Sequence, residues 1–236
     1  MTNIAVFGCD GYVGHAICKE IESLNKFNLF KLNRKNFIDY QKNKFDIIIH
    51  SANPAKRYFA NNNPLIDYKE SVEKTNFILK NYKYENIITI SSLSVLFEPN
   101  TFYAKNRAQV EKNTLLNKGK VVRLGPMFGG NPRKSTLQDI IDDKNIFFSN
   151  KTKYGYCNVN WVAKNIVNRI DSLEDINNIS AKNYITLEEI ANSIFSTSNF
   201  GNKIDDQYLK NTGTGPDAYD VIEYAKKCKK NNLKCG

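Results

Sequence analysis

The chain has 236 residues, 41% of them hydrophobic, and carries a formal net charge of +10. That is enough to bury a core in one main domain, with or without a small appendage. No apolar run approaches the roughly 18 residues that span a bilayer, and Met1 to Asn3 run straight into a strand-like stretch, so a soluble cytoplasmic protein without a leader is expected.

The five cysteines, Cys9, Cys18, Cys157, Cys228 and Cys235, form no C-x-x-C pair and no even framework, and only His15 and His50 could join them at a metal. Reduced thiols, no disulfide scaffold and no metal site are expected. The lysines are dispersed among many asparagines, so nucleic acid is not the expected partner. The densest basic cluster, Lys226, Lys227, Lys229 and Lys230, reads as the solvated end of a helix.

In chain order, Asn3 to Phe7 is a short apolar strand ending at glycine. Tyr12 to Leu24 comes next, with Val13, Ile17, Ile21 and Leu24 at helical spacing. Further strands are expected at about Asn28 to Leu32 and Asp46 to His50. A helix over about Asp67 to Asn81 is expected to use Val72, Phe77 and Leu79 as its apolar contacts. A strand over Ile87 to Ile90, a helix over Tyr103 to Leu116 and a strand over Val121 to Leu124 complete an alternating pattern. Short apolar strands alternating with helices predict an α/β fold, a doubly wound parallel sheet covered on both faces.

Beyond Gly130 the character changes. A polar segment runs to Lys153, a helix is expected from about Trp161 to Leu173, and Thr186 to Glu189 carries a capping-box pattern. Gly201 to Pro216 reads as a loop before a last helix. The expected division is therefore a core over residues 1–130 and a small substrate lobe or lid over 131–236, partly integrated with the core.

Three glycines, Gly8, Gly11 and Gly14, fall between the first strand and the first helix. That spacing allows a tight turn, close approach to a pyrophosphate and close helix packing, while the helix N-terminus offers free N–H groups to phosphate. Gly8, Asp10, Gly11, Tyr12, Val13 and Gly14 are thus the candidate cofactor-binding turn of a Rossmann-type domain. At the end of the second strand, where a carboxylate would bind the ribose of NAD, the sequence has Leu32, Asn33, Arg34 and Lys35. Two cations and no carboxylate favour NADP over NAD, with Arg34 and Lys35 as its ligands; the alternative is an ordinary solvated turn.

The G-x-x-G-x-x-G spacing, joined by several motifs further along residues 3 to 195, resembles the extended and atypical short-chain dehydrogenases/reductases, the NAD-dependent epimerase/dehydratase family. The segment Asp46 to Ala52 is similar to the family's strand beside the cofactor, which adds Ser51 and Ala52 to the cofactor site. Thr75 and Asn76 resemble its G-T-x-N helix, with Lys74 where glycine is usual. Ser92 falls at the catalytic Ser/Thr of an S-S-x-x-V segment, and Tyr103, position 107 and Glu111 match Y-x-x-x-K-x-x-x-E with Arg107 in place of lysine. Val122 to Gly129 and Cys157 to Ala163 resemble two later family segments.

The resemblance implies catalysis by Ser92, Tyr103 and Arg107, with Tyr103 and Arg107 also touching the cofactor. A tyrosine phenol ordinarily ionises near about pH 10, so proton transfer needs positive charge close by. Position 107 is one helical turn from Tyr103 and on its face, whereas Lys105 is not. Arginine keeps the charge but presents a wide planar fork that stays protonated. Only 10 residues separate Ser92 from Tyr103, which implies a reduced substrate pocket, and Leu93 and Ser94 stand where a 4,6-dehydratase would carry Asp and Glu.

His50 reads as a packed or cofactor-adjacent side chain, and Arg123 as either a substrate-phosphate ligand or one half of a buried ion pair. The leading expectation is an NAD(P)-dependent oxidoreductase or epimerase acting on a nucleotide-sugar, with keto-sugar reduction favoured and a homodimer possible. The rival is a dinucleotide-binding redox sensor or structural protein without turnover.

Overall fold

The computed structural model describes residues 1–130, 134–210 and 215–230. It divides into two compact units, Met1–Leu124 with Ala163–Asn178, and Gly125–Val162 with Ile179–Gly236. The expected division falls at residue 130 with the second part partly integrated with the core; in the structure residues 163–178 belong to the first unit. Among the described residues no helix is long and apolar enough to cross a membrane.

The first unit opens with β1 (Thr2–Phe7), α1 (Tyr12–Leu24), β2 (Phe27–Leu32) and, after a 3-10 turn at Phe37–Tyr40, β3 (Lys44–His50). Helices α2 (Arg57–Asn62), α3 (Pro64–Tyr68) and α4 (Lys74–Asn81) precede β4 (Lys83–Ser92), and α5 (Ser94–Phe97) and α6 (Phe102–Leu116) precede β5 (Lys120–Leu124). These strands and Ile176–Ile179 form a six-stranded sheet in the order β2, β1, β3, β4, β5 and then the returning strand. The four pairings from β2 to β5 are all parallel. The chain therefore builds outward from β1 in one direction, crosses back and continues from β3 in the other, so a topological switch point lies between β1 and β3.

A parallel sheet covered on both faces needs strands apolar on both sides. Ile4, Ala5, Val6 and Phe7 of β1 and Ile47, Ile48 and Ile49 of β3 are all buried. One core cluster joins Ala5, Phe7, Leu32, Phe45, Ile48, Ile78, Tyr82 and Ile87. The Phe7 and Tyr82 rings meet edge to face at 4.9 Å, and the Tyr82 hydroxyl donates to the carbonyl of Phe37, tying the 3-10 turn to the end of α4.

The expected helix from Asp67 to Asn81 is interrupted by a π-helical turn at Lys69–Glu73 between α3 and α4. The extra residue changes the helical phase, so the apolar expectation holds only in part. Val72 is buried, Leu79 packs at the edge of the core, Ile78 takes an interior position, and Phe77 is 36% exposed. Helix α6 is capped by Thr101, whose hydroxyl accepts from the Ala104 amide at 3.2 Å. Its buried stripe, Tyr103, Arg107, Val110, Glu111 and Thr114, is largely polar and faces β4 and β5.

In the second unit, Met127–Phe128 pairs with Cys157–Asn158, and Ile185–Thr186 pairs antiparallel with Lys153–Tyr154. The capping box is present: Thr186 accepts from the Glu189 amide at 3.1 Å and Glu189 accepts from the Thr186 amide at 2.8 Å. The expected loop over Gly201 to Pro216 needs correction at its start, since Phe200–Lys203 pairs in parallel with Ile146–Phe148. A Cβ at Gly201 would lie 2.3 Å from the Phe147 carbonyl oxygen, so this glycine permits close strand approach where the sequence suggested a breaker. Residues 211–214 of that loop lie outside the described residues.

Cys9, Cys18 and Cys157 are free thiols, but Cys228, buried in the helix Asp220–Lys230, is disulfide-bonded. That corrects the expectation of a reduced thiol there, which rested on the lack of a C-x-x-C spacing. Cys235 lies outside the described residues.

Candidate dinucleotide site

The glycine turn is sterically determined. Gly8 has φ +79°, and a Cβ there would lie 2.8 Å from the Ala52 Cα. At Gly14 a Cβ would stand 2.2 Å from the Gly8 carbonyl oxygen and 2.5 Å from Ser51 Oγ, so only glycine lets α1 pack this close to the end of β1. Gly11 is tight but less so, with the Gly8 oxygen 3.1 Å from the added carbon. It caps α1 without a side chain, which leaves the helix N-terminus facing the space beyond β1 without a side-chain acceptor.

That space is a cavity of about 490 Å³ at the C-terminal ends of β1, β2 and β3, beside the switch point. Of the residues singled out in the sequence, Gly8, Asp10, Gly11, Arg34, Lys35, Ser51 and Ala52 line it. Tyr12, Val13 and Gly14 form the first turn of α1 behind this wall and do not. The Ser51 amide and hydroxyl both donate to the Phe7 carbonyl at 3.0 Å, which locks β3 to β1 where the cavity begins. Asn33 donates to Asp10 at 2.9 Å, joining the end of β2 to the glycine turn.

The far wall is α4, contributing Lys74, Phe77 and Ile78. Sequence reasoning missed all three as site residues. The available signal was Lys74 itself, a long cation where glycine is usual. Its ammonium donates to Glu70 Oε2 at 2.8 Å, and Arg34 from β2's end donates to the same oxygen at 3.1 Å. The Lys74 ammonium first, and Arg34 after it, hold the Glu70 carboxyl below its ordinary range.

Among the described residues, both polar atoms of the cavity-lining Asn53 side chain, His50 Nδ1 and one terminal nitrogen of Arg107 are buried without a hydrogen-bond partner. His50 is fully buried, its Nε2 lies 3.0 Å from Thr75 Oγ1, and burial together with the positive charges of Lys74 and Arg107 pulls it down to about 3. The nearby Asn53 amide opposes that shift only weakly. An imidazole so placed is neutral and packed.

The three residues placed at the catalytic positions are only partly brought together. Tyr103 and Arg107 are both buried on α6, and the guanidinium lies over the tyrosine ring. Its other terminal nitrogen donates to the Pro54 carbonyl. The Ser92 hydroxyl donates to Ser94 Oγ at 3.2 Å and accepts from the Ser94 amide, and among the described residues the Tyr103 hydroxyl has no hydrogen-bond partner. Arg123 resolves as an ion pair, gripping Glu111 through two nitrogens at 2.9 and 2.6 Å while Ser91 donates to the same carboxylate at 2.6 Å.

A parallel sheet with a glycine turn and a cavity at its switch point defines a Rossmann-type nucleotide-binding fold. No protein-family model matches the sequence, and no curated protein matches it. Solved structures do. The chain is similar to UDP-N-acetylglucosamine 4-epimerase from Methanobrevibacter ruminantium, in complex with UDP-N-acetylmuramic acid, at TM-score 0.76 and 17% identity over 97% of each chain. It is similar to RMD from Pseudomonas aeruginosa, complexed with NADPH, at TM-score 0.78 and 11% identity over 99% of this chain and 100% of that one. The UDP-glucose 4-epimerase of Stenotrophomonas maltophila, with bound NAD and formylated UDP-arabinopyranose, gives 0.76 and 13% over 98% and 99%. At these identities the likeness establishes the fold.

Proposed function

We propose that this protein is an NAD(P)-dependent oxidoreductase or epimerase of a nucleotide-linked sugar, with NADPH the preferred dinucleotide and keto-sugar reduction the favoured reaction. The observation that carries the reading is the cavity at the switch point, where Gly8 tolerates no side chain and which Arg34, Lys35 and Lys74 line. The residues present fit a dinucleotide: glycine backbone and a helix N-terminus for the pyrophosphate, cations for a 2′-phosphate, and the buried Asn53 side chain lining the cavity for a ribose hydroxyl. Solved structures of the same fold hold NADPH, NAD and UDP-sugars, which supports the substrate class.

When bound, the reduced nicotinamide supplies a hydride to a substrate carbonyl carbon. Tyr103 then delivers its phenolic proton to the carbonyl oxygen, and Ser92 hydrogen-bonds that oxygen. Arg107 holds a fixed positive charge over the face of the Tyr103 ring. Ser92 must turn from Ser94 toward the substrate for this set to assemble.

A second reading, a dinucleotide-binding protein without turnover, is favoured by one observation: Arg107 covers the ring face of Tyr103 and bonds Pro54, and no hydrogen bond links Ser92 to Tyr103 among the described residues. The two readings separate in one experiment. Fluorescence titration with NADPH and NADH tests binding, and loss of NADPH absorbance with UDP- and dTDP-linked 4-keto-sugars tests turnover. Binding without turnover on any of them favours the second reading; no binding of either dinucleotide at millimolar concentration rejects both.

A further inference from the structure

We infer that Arg34 and Lys74 form a two-sided clamp for a phosphate monoester on the adenosine ribose, and that Glu70 fills this clamp as an internal anion until the dinucleotide binds. The inference rests on the dinucleotide reading above and adds Lys74 and Glu70 to it.

Both cations bond one oxygen atom, Glu70 Oε2, at 3.1 and 2.8 Å. That oxygen therefore marks a point, beside the cavity, where an anionic oxygen bridges the end of β2 to α4. Arg34 and Lys74 line the cavity, whereas Glu70 does not. The carboxylate thus reaches the two cations from outside the space that a nucleotide would fill. Lys74 is the better anchored, its side chain 25% exposed against 85% for Arg34.

The π-helical turn sets this placement. The Lys74 amide donates to the Lys69 carbonyl, five residues back, so Lys74 enters α4 out of the phase that a continuous α-helix would give it. The Phe37 and Phe77 rings, packed edge to face with centroids 6.0 Å apart, line the same cavity.

A phosphate oxygen matches a carboxylate oxygen in size and acceptor strength. A phosphate monoester, however, carries up to two negative charges near neutral pH against one for Glu70. It therefore displaces Glu70 from Arg34 and Lys74 where an uncharged 2′-hydroxyl does not. Glu70 becomes a filter: it keeps the clamp neutral toward ligands without the phosphate and yields to those with it.

The test compares adenosine 2′,5′-bisphosphate with adenosine 5′-diphosphate by calorimetry, which isolates the 2′-phosphate from the nicotinamide. Lys74→Met is expected to weaken the bisphosphate about tenfold and the diphosphate less than about twofold, with Lys74→Arg restoring the difference. Glu70→Gln is expected to tighten the bisphosphate severalfold. Thermal melts of each variant check that it is folded, and Arg34→Ala should reproduce the selective loss. Equal losses for both nucleotides in Lys74→Met overturn the clamp while leaving dinucleotide binding intact. So does selective weakening of the diphosphate by Glu70→Gln, which would make Glu70 the acceptor of a ribose hydroxyl and the site one for NAD. If the wild-type protein binds neither nucleotide, the dinucleotide reading falls with it.

Discussion

The guanidinium carbon of Arg107 sits 4.8 Å from the centroid of the Tyr103 ring, and both residues are buried, at 2% and 5% exposure. The contact uses the ring face, so the phenolic oxygen contributes nothing to holding the pair. Tyr103→Phe keeps the ring and the cation–π contact and deletes only a hydroxyl that has no hydrogen-bond partner among the described residues. Its melting temperature and NADPH affinity should match wild type, while turnover falls about 100-fold or more. A variant that keeps full turnover would remove Tyr103 from the chemistry.

The glycine turn makes a graded prediction. At Gly14 an added methyl group would meet the Gly8 backbone and Ser51 Oγ at 2.2 and 2.5 Å, so α1 must move. Gly14→Ala should cost about 2 kcal/mol or more in urea unfolding and abolish dinucleotide binding. Gly11→Ala meets one atom at 3.1 Å and should fold normally. Equal stability of the two variants would contradict the packing described for α1.

The Arg123–Glu111 pair joins β5 to α6, with side-chain exposures of 14% and 5%. Arg123→Ala strands a buried carboxylate and should destabilise the protein by about 3 kcal/mol, more than the double variant Arg123→Met with Glu111→Leu. A double-mutant cycle by chemical denaturation measures the coupling. A coupling near zero would return Arg123 to the substrate-phosphate role.

His50 gives a pH prediction with a definite sign. Its imidazole stays neutral in the fold down to about pH 3, from an ordinary 6.5, chiefly through burial. Below about pH 6.5 the unfolded chain takes up a proton at this residue that the folded chain does not, so stability falls with falling pH across the window from 6.5 to 3. His50→Gln removes this contribution. Urea midpoints at several pH values should show a shallower acid slope for the variant than for wild type, and parallel slopes would show that the imidazole protonates in the fold.

Much of the fold was legible because it comes from local chemistry. The alternating apolar strands, the capping box at Thr186 and the glycine turn each depend on residues a few positions apart, within reach of backbone sterics and helical periodicity. The misjudged places depend on distant partners. Phe77 reads as an apolar contact of its helix, yet after the π turn at Lys69–Glu73 it stands at the cavity wall. Gly201 read as a loop residue because the strand that needs it, Ile146–Phe148, lies more than fifty positions earlier. Arg123 stayed open between two roles until Glu111 was placed beside it.

By itself the sequence determined that β1 turns into α1 through a bend only glycine can make, and that cations, not a carboxylate, come after β2. Those are covalent and steric properties of a short stretch of chain. Only the tertiary structure decided that Glu70 reaches Arg34 across 36 positions and shares one oxygen with Lys74, or that Arg107 spends a donor on Pro54, 53 positions away. Charge and hydrogen bonding act through space over a few ångströms, and no periodicity in the chain encodes which distant groups the fold brings within that range.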